Sequence, residues 1–196
     1  MNFAELCSEV YTLTGRPDRV ADTESAVKAA TLKAHHSDYF YKDIYEIGLV
    51  FDTSDFYQQL DYRGVIPRWR ADKYLRKWDN VNSKAGKELD LIVPENIFDR
   101  YATEKEDVYY YAGAYMNIKS SDATQWFLYG CYVHPIVAKD NYTSWIALDH
   151  PYAIIFDAAA TVFKAIGKDD ENATYKALVA EQLQMLKISN ITARGV

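Results

Sequence analysis

The stretch VYYYAGAYMNIKSSDATQWFLYGCYVHPI, residues 108–136, decides how the chain is read. Val108, Tyr110, Ala112, Ala114, Met116 and Ile118 alternate with Tyr109, Tyr111, Gly113, Tyr115 and Asn117, the two-residue period of a β-strand. Ser120-Ser121-Asp122-Ala123 supplies turn chemistry, and a second aromatic and apolar run follows. The expectation is a hairpin pairing Val108–Lys119 with Gln125–Ile136. Aliphatic side chains on one face and tyrosines on the other imply a strand covered on both sides. The antiparallel sheet of a small monomer commonly leaves one face polar. Tyr109, Tyr111, Tyr115 and Trp126 are accordingly candidates for a sheet interface with a neighbouring molecule.

Working outward, the aromatic character persists. Between Tyr39 and Trp145 lie 14 of the 17 tyrosines, all 4 tryptophans and 5 of the 8 phenylalanines, a composition that favours strands. Ile44–Phe51 and Phe56–Arg63 read as two more, joined by the polar turn Asp52-Thr53-Ser54-Asp55. Around Pro94 a short helix is expected, with Ile97, Phe98 and Tyr101 sharing a face.

Both ends of the chain switch to a helical period. Phe3, Leu6, Cys7, Val10 and Leu13 line one face of a first helix that Gly15 and Pro17 terminate. Asp22 or Thr23 is expected to cap a second, with Val27, Ala30, Thr31 and Ala34 inward and an end near His36. Pro151 opens a helix with the stripe Ile155, Ala158, Ala159, Val162 and Ile166, ended by Gly167. Asp169, Asp170 and Glu171 then suit the N-terminus of a last helix, carried by Tyr175, Leu178, Val179, Leu183 and Leu186 to about Lys187. Residues 188–196 show no further period and are expected to extend as a tail. The sequence therefore predicts an α+β fold in one domain, 1–187. Helical segments 1–37 and 149–187 form its body, and an antiparallel, aromatic-rich β region, 39–145, is inserted between them.

Composition is that of an ordinary globular chain, 49 % hydrophobic and 26 % charged, with 8 Gly and 5 Pro scattered along it. The start, MNFAELCSEV, lacks the basic segment and unbroken apolar run of a secretory signal. No stretch approaches the roughly 20 apolar residues that span a bilayer. A soluble protein folding in the cytoplasm is expected, without membrane contact, and Cys7 and Cys131 are expected as buried thiols.

The sequence contains no glycine loop for phosphate, no nucleophile elbow and no zinc-protease helix. No catalytic residue, metal or cofactor is expected. His35-His36-Ser37-Asp38 is the densest ligand cluster, yet adjacent histidines on a helix diverge by about 100° and need help from elsewhere to meet at one ion. Cys131 and His134 are three residues apart on a strand and fall on opposite faces. A Cys–His dyad would have to draw its histidine from elsewhere, such as His150 or His36.

One segment departs from the overall net charge of −6. From Arg63 to Lys87, eight bases face only Asp72 and Asp79, a local +6 that leaves −12 for the rest. Trp69, Tyr74 and Trp78 are interleaved with them. Arg63, Arg68, Trp69, Arg70, Arg76 and Trp78 are therefore candidates for an interface. Either they meet the acidic surface of a neighbouring copy, or they bind nucleic acid as an accessory protein would, stacking on bases and neutralising phosphates.

Several strings resemble the head-to-tail adaptor proteins of tailed bacteriophages, especially podophage-like tail adaptors. They are Glu5-Leu6-Cys7-Ser8-Glu9-Val10, Thr14-Gly15-Arg16-Pro17-Asp18, and the helix Ala26–His36 leading into Asp38-Tyr39-Phe40-Tyr41-Lys42-Asp43. An aromatic hairpin, His150-Pro151-Tyr152, an alanine-rich helix and a final helix after an acidic turn continue the likeness, which covers most of the chain outside roughly 51–87. The resemblance implies a structural virion protein at the head–tail interface, assembled as a ring of about twelve copies beneath the portal protein. It implies a docking surface for the next tail component and a channel through which DNA passes without sequence-specific binding. It also implies that a terminal extension, here carrying Ile188, Ile191 and Arg194, reaches toward the portal.

Overall fold

The computed structural model describes residues 1–97 and 104–193. In chain order the first elements are α1 (Phe3–Thr14), α2 (Val20–His36), β1 (Ile44–Val50), β2 (Tyr57–Asp61) and α3 (Tyr62–Val65). The strands β3 (Trp69–Asp79), β4 (Lys84–Glu88), β5 (Asp90–Leu91), β6 (Val108–Ala112), β7 (Tyr115–Lys119) and β8 (Trp126–Val133) follow. The chain closes with α4 (Trp145–Asp149), α5 (Tyr152–Ala165) and α6 (Asp169–Ala193). The fold is α+β, as the sequence predicts. It divides into a helical unit, Met1–Asp43 with His134–Val196, and a β unit, Ile44–Val133. The β elements are thus confined to a narrower span than 39–145.

In the helical unit α5 is the central element. Ile154, Ile155, Ala158, Ala159 and Val162 are all at most 1 % exposed, and the helix packs against α1, α2 and α6. Its alanines allow close helix approach, while Phe3, Leu6, Val10, Val27, Ile146 and Leu186 fill the space around them. Asn2 begins α1 with a capping box: its side chain accepts the Glu5 N–H at 2.9 Å, and the Glu5 carboxylate accepts the Asn2 N–H at 2.8 Å. Gly15 ends the helix at φ 64°. α2 starts at Val20, earlier than Asp22 or Thr23: Arg19 stands at the N-cap without a side-chain bond, and Thr23 lies inside the helix on its buried face.

α6 corrects the expected end at Lys187. The helix continues to Ala193, so residues 188–193 are helical and no extended tail begins there. Asn190 is the reason. It lies 6 % exposed and seven residues beyond Leu183, on the same side. Its Nδ2 donates to Asp38 Oδ2 at 2.9 Å and to the Tyr39 carbonyl at 3.2 Å, and its Oδ1 accepts the Tyr41 N–H at 3.4 Å. A polar residue thus carries on the buried stripe that the apolar period leaves off at Leu186.

The β unit holds two four-stranded sheets, ordered β1-β8-β3-β4 and β2-β7-β6-β5. All pairs are antiparallel except β5 with β6. Leu49, Leu75, Phe127, Tyr129 and Cys131 of the first sheet share a core with Tyr109, Met116 and Ile118 of the second. The expected pairing of Val108–Lys119 with Gln125–Ile136 is not formed. Gly113, at φ 63°, begins a two-residue loop that folds β6 onto β7, and β8 pairs with β1 and β3 in the other sheet. The early turn reverses the face parity. Tyr109 lies opposite Ile118 and Tyr111 opposite Met116, so tyrosines and aliphatics share one inward face. The basic segment forms β3 and β4, with β-bulges after Trp69 and Asp72. At Pro94 there is one 3-10 turn, Pro94–Asn96; Phe98 and Tyr101 lie outside the described residues.

Candidate functional site

Three of the eight bases of the 63–87 segment, Arg76, Lys77 and Lys87, meet acids of their own unit. Arg76 pairs across the strands with Glu88 at 2.8 Å. Lys77 reaches Asp107 at 2.8 Å and Asp122 at 3.1 Å, and Lys87 holds the other Asp107 oxygen at 2.8 Å. Burial acts to raise the Asp107 carboxyl, but the hydrogen bonds from Lys77, Lys87 and Ser121 outweigh it and hold it well below the usual range. Arg63 and Arg68 are exposed, and Arg70 and Trp78 are half-buried. Trp69 is committed inward: its Nε1–H donates to the Tyr129 hydroxyl at 2.7 Å, and its ring packs on Tyr62 and Tyr111. A base-stacking platform built from this segment loses one of its two tryptophans to the core. Tyr74 lies over Gly130, its cross-strand partner, where a Cβ would come within 2.6 Å of the ring. The Arg76 guanidinium sits 5.1 Å from the same ring.

Of the four sheet-interface candidates, two are corrected. Tyr109 is 3 % exposed and Tyr111 faces the core, because the turn at Gly113 turns their side inward. Tyr111 and Tyr129 both donate to Asp72 Oδ1, and the two hydroxyls are 3.0 Å apart. Burial, followed by the neighbouring hydroxyl and Asp72, pushes the Tyr111 phenol far above its ordinary value; burial and Asp72 do the same to Tyr129. Both phenols stay protonated and, bound to Asp72, fasten the two sheets together. Tyr115 and Trp126 are exposed, 46 % and 37 %. Trp126 pairs in register with the exposed Val50, while Phe56 and Tyr57 are also open.

In the helical unit His35 is buried between two partners. Its Nδ1 lies 2.7 Å from Asp43 Oδ1 and its Nε2 lies 2.9 Å from Ser144 Oγ. The order carboxylate–imidazole–hydroxyl is that of a serine hydrolase triad. Here Ser144 is the cap of α4, accepting the Ala147 N–H at 3.2 Å, and Asp43 also accepts Trp145 Nε1–H at 2.8 Å. All three residues are at most 8 % exposed, and the set ties the end of α2 to the start of α4. The sequence hides this set, since its members come from three segments. Cys131 is fully buried and burial pushes its thiol up to about 12, the opposite of nucleophile activation. Cys7 is pushed up to about 11 by the same cause. His134 meets His36 instead, with Nδ1 and Nε2 3.1 Å apart.

On α6, Met185, Ile188 and Ile191 are 51 %, 56 % and 50 % exposed and recur every three residues along one side. Arg194 lies outside the described residues. Among the described residues no helix is long and apolar enough to cross a membrane, and no group of three or more metal-ligating side chains occurs. No protein-family model matches the chain, and no curated protein sequence is similar to it.

Proposed function

We propose that the chain is a structural virion protein, a head-to-tail adaptor that forms a ring of about twelve copies and joins the portal to the next tail component. The observation that carries this reading is apolar surface exposed in two separate places. One is the stripe Met185, Ile188 and Ile191 on α6; the other is the set Val50, Phe56, Tyr57, Tyr115 and Trp126 on the β unit. A ring subunit needs at least two such surfaces, because a closed ring is built from heterologous contacts and must still dock its neighbours above and below. The α6 stripe meets the portal and the β unit supplies contacts to other copies. The net charge of −6 suits a conduit, since an acidic wall repels the DNA backbone and lets it slide.

The reading is tested by mixing the purified chain with the portal ring of the same virus and measuring the mass of the product by light scattering. Co-elution in multiple copies per portal supports it. Separate elution at every mixing ratio overturns it.

A further inference from the structure

We infer that His36 and His134 form a two-imidazole binding site for a borderline divalent transition-metal ion, of which Zn²⁺ is the representative case. The inference is independent of the adaptor reading.

Three observations carry it. First, His36 Nε2 and His134 Nδ1 are 3.1 Å apart, with the rings 70° from coplanar. Two nitrogens on one tetrahedral ion, at metal–nitrogen bonds of about 2.0–2.1 Å, are separated by roughly 3.3 Å. A widening of a few tenths of an ångström admits the ion, with each ring turning by roughly 35° to aim its lone pair at it and the bridging proton passing to the far nitrogen of its ring. Second, without metal the same contact is a hydrogen bond between the two rings. Each side chain is therefore held near its ligating position before the ion arrives, which lowers the ordering cost of binding. Third, His36 is the last residue of the 17-residue helix α2, whose C-terminal dipole favours a positive charge at that end.

Both ring nitrogens of His35 are engaged, the N-terminal amine donates to the Ala147 carbonyl, and the two thiols are buried and protonated. Water completes the coordination wherever the chain supplies no further donor. The pair is 98 residues apart in sequence, so a bound ion cross-links the end of α2 to the segment that follows β8. Metal binding to the folded state then adds to stability by linkage.

The test is calorimetric titration of the chelator-treated full chain with ZnCl₂, NiCl₂, CuCl₂ and MgCl₂. One ion per chain is expected, with Cu²⁺ tightest and Mg²⁺ giving no saturable binding. His36→Ala and His134→Ala each weaken Zn²⁺ binding by more than about a hundredfold, beyond the roughly 10–100-fold that loss of an outer-shell partner brings. His150→Ala leaves it unchanged. Should either alanine variant misfold, His36→Gln and His134→Gln keep a polar side chain across the gap and must lose the metal equally. Nitrogen hyperfine splitting from two imidazoles in the Cu²⁺ resonance spectrum gives a second reading. Zn²⁺ binding that is absent from the wild type, or equal in the wild type and the His36→Ala/His134→Ala double variant, overturns the site.

Discussion

Asp72 shows how single residues hold this chain. It lies on a strand dense with cations, yet both hydroxyl donors given to its Oδ1, Tyr111 and Tyr129, come from within the β unit's core. Asp72→Ala leaves two buried hydroxyls without their acceptor and is expected to destabilise by about 2–4 kcal/mol, read from urea unfolding. Tyr111→Phe leaves the carboxylate accepting from Tyr129 and is expected to cost only about 1 kcal/mol. Asp107 makes a pH-dependent contribution. Its folded-state pKa lies below the unfolded one, so its stabilisation is complete above about pH 5 and is lost as acidification passes the unfolded value near 3.9 and continues toward the folded one. Between pH 6 and pH 3 the wild type should lose on the order of 1–2 kcal/mol more than Asp107→Asn. Equal acid slopes for the two proteins would show that Asp107 is not the group responsible.

At the scale of elements, the helices with an unbroken apolar period were readable directly: α1, α2 and α5 lie where Leu6–Val10, Val27–Ala34 and Ile155–Val162 place them. Three features were hidden, each for a physical reason. β3 alternates Arg, Lys and Asp with aromatics, and its two bulges break the period of two, so the longest strand reads as a charged surface segment. Gly113 reads as one position of a long strand, but its left-handed conformation makes it the turn, and the tyrosine faces invert with it. The end of α6 depends on Asn190, whose role lies in partners about 150 residues away. The His36–His134 contact and the His35 cluster were illegible for the same reason: they join residues from separate segments. Asn190→Ala should therefore fray α6 beyond Leu186. The amides of residues 187–193 are expected to exchange faster with deuterium, while those of α5 are unchanged and global stability falls by about 1–2 kcal/mol. Unaltered exchange over 187–193 would mean that the helix end is held by something other than this side chain.

For the whole molecule, the question is what covers the apolar surface that remains. Met185→Ser, Ile188→Ser and Ile191→Ser remove exposed side chains, so together they should change the unfolding midpoint little and abolish joining to the portal. A variant that still joins would move the docking surface elsewhere on the chain. Cryo-electron microscopy of purified virions, at a resolution that traces side chains, is the decisive test of the proposed adaptor role. A ring of this chain is expected between portal and tail, with Met185, Ile188 and Ile191 buried against the portal. Virions that lack the chain, or that carry it anywhere but the head–tail junction, would contradict it.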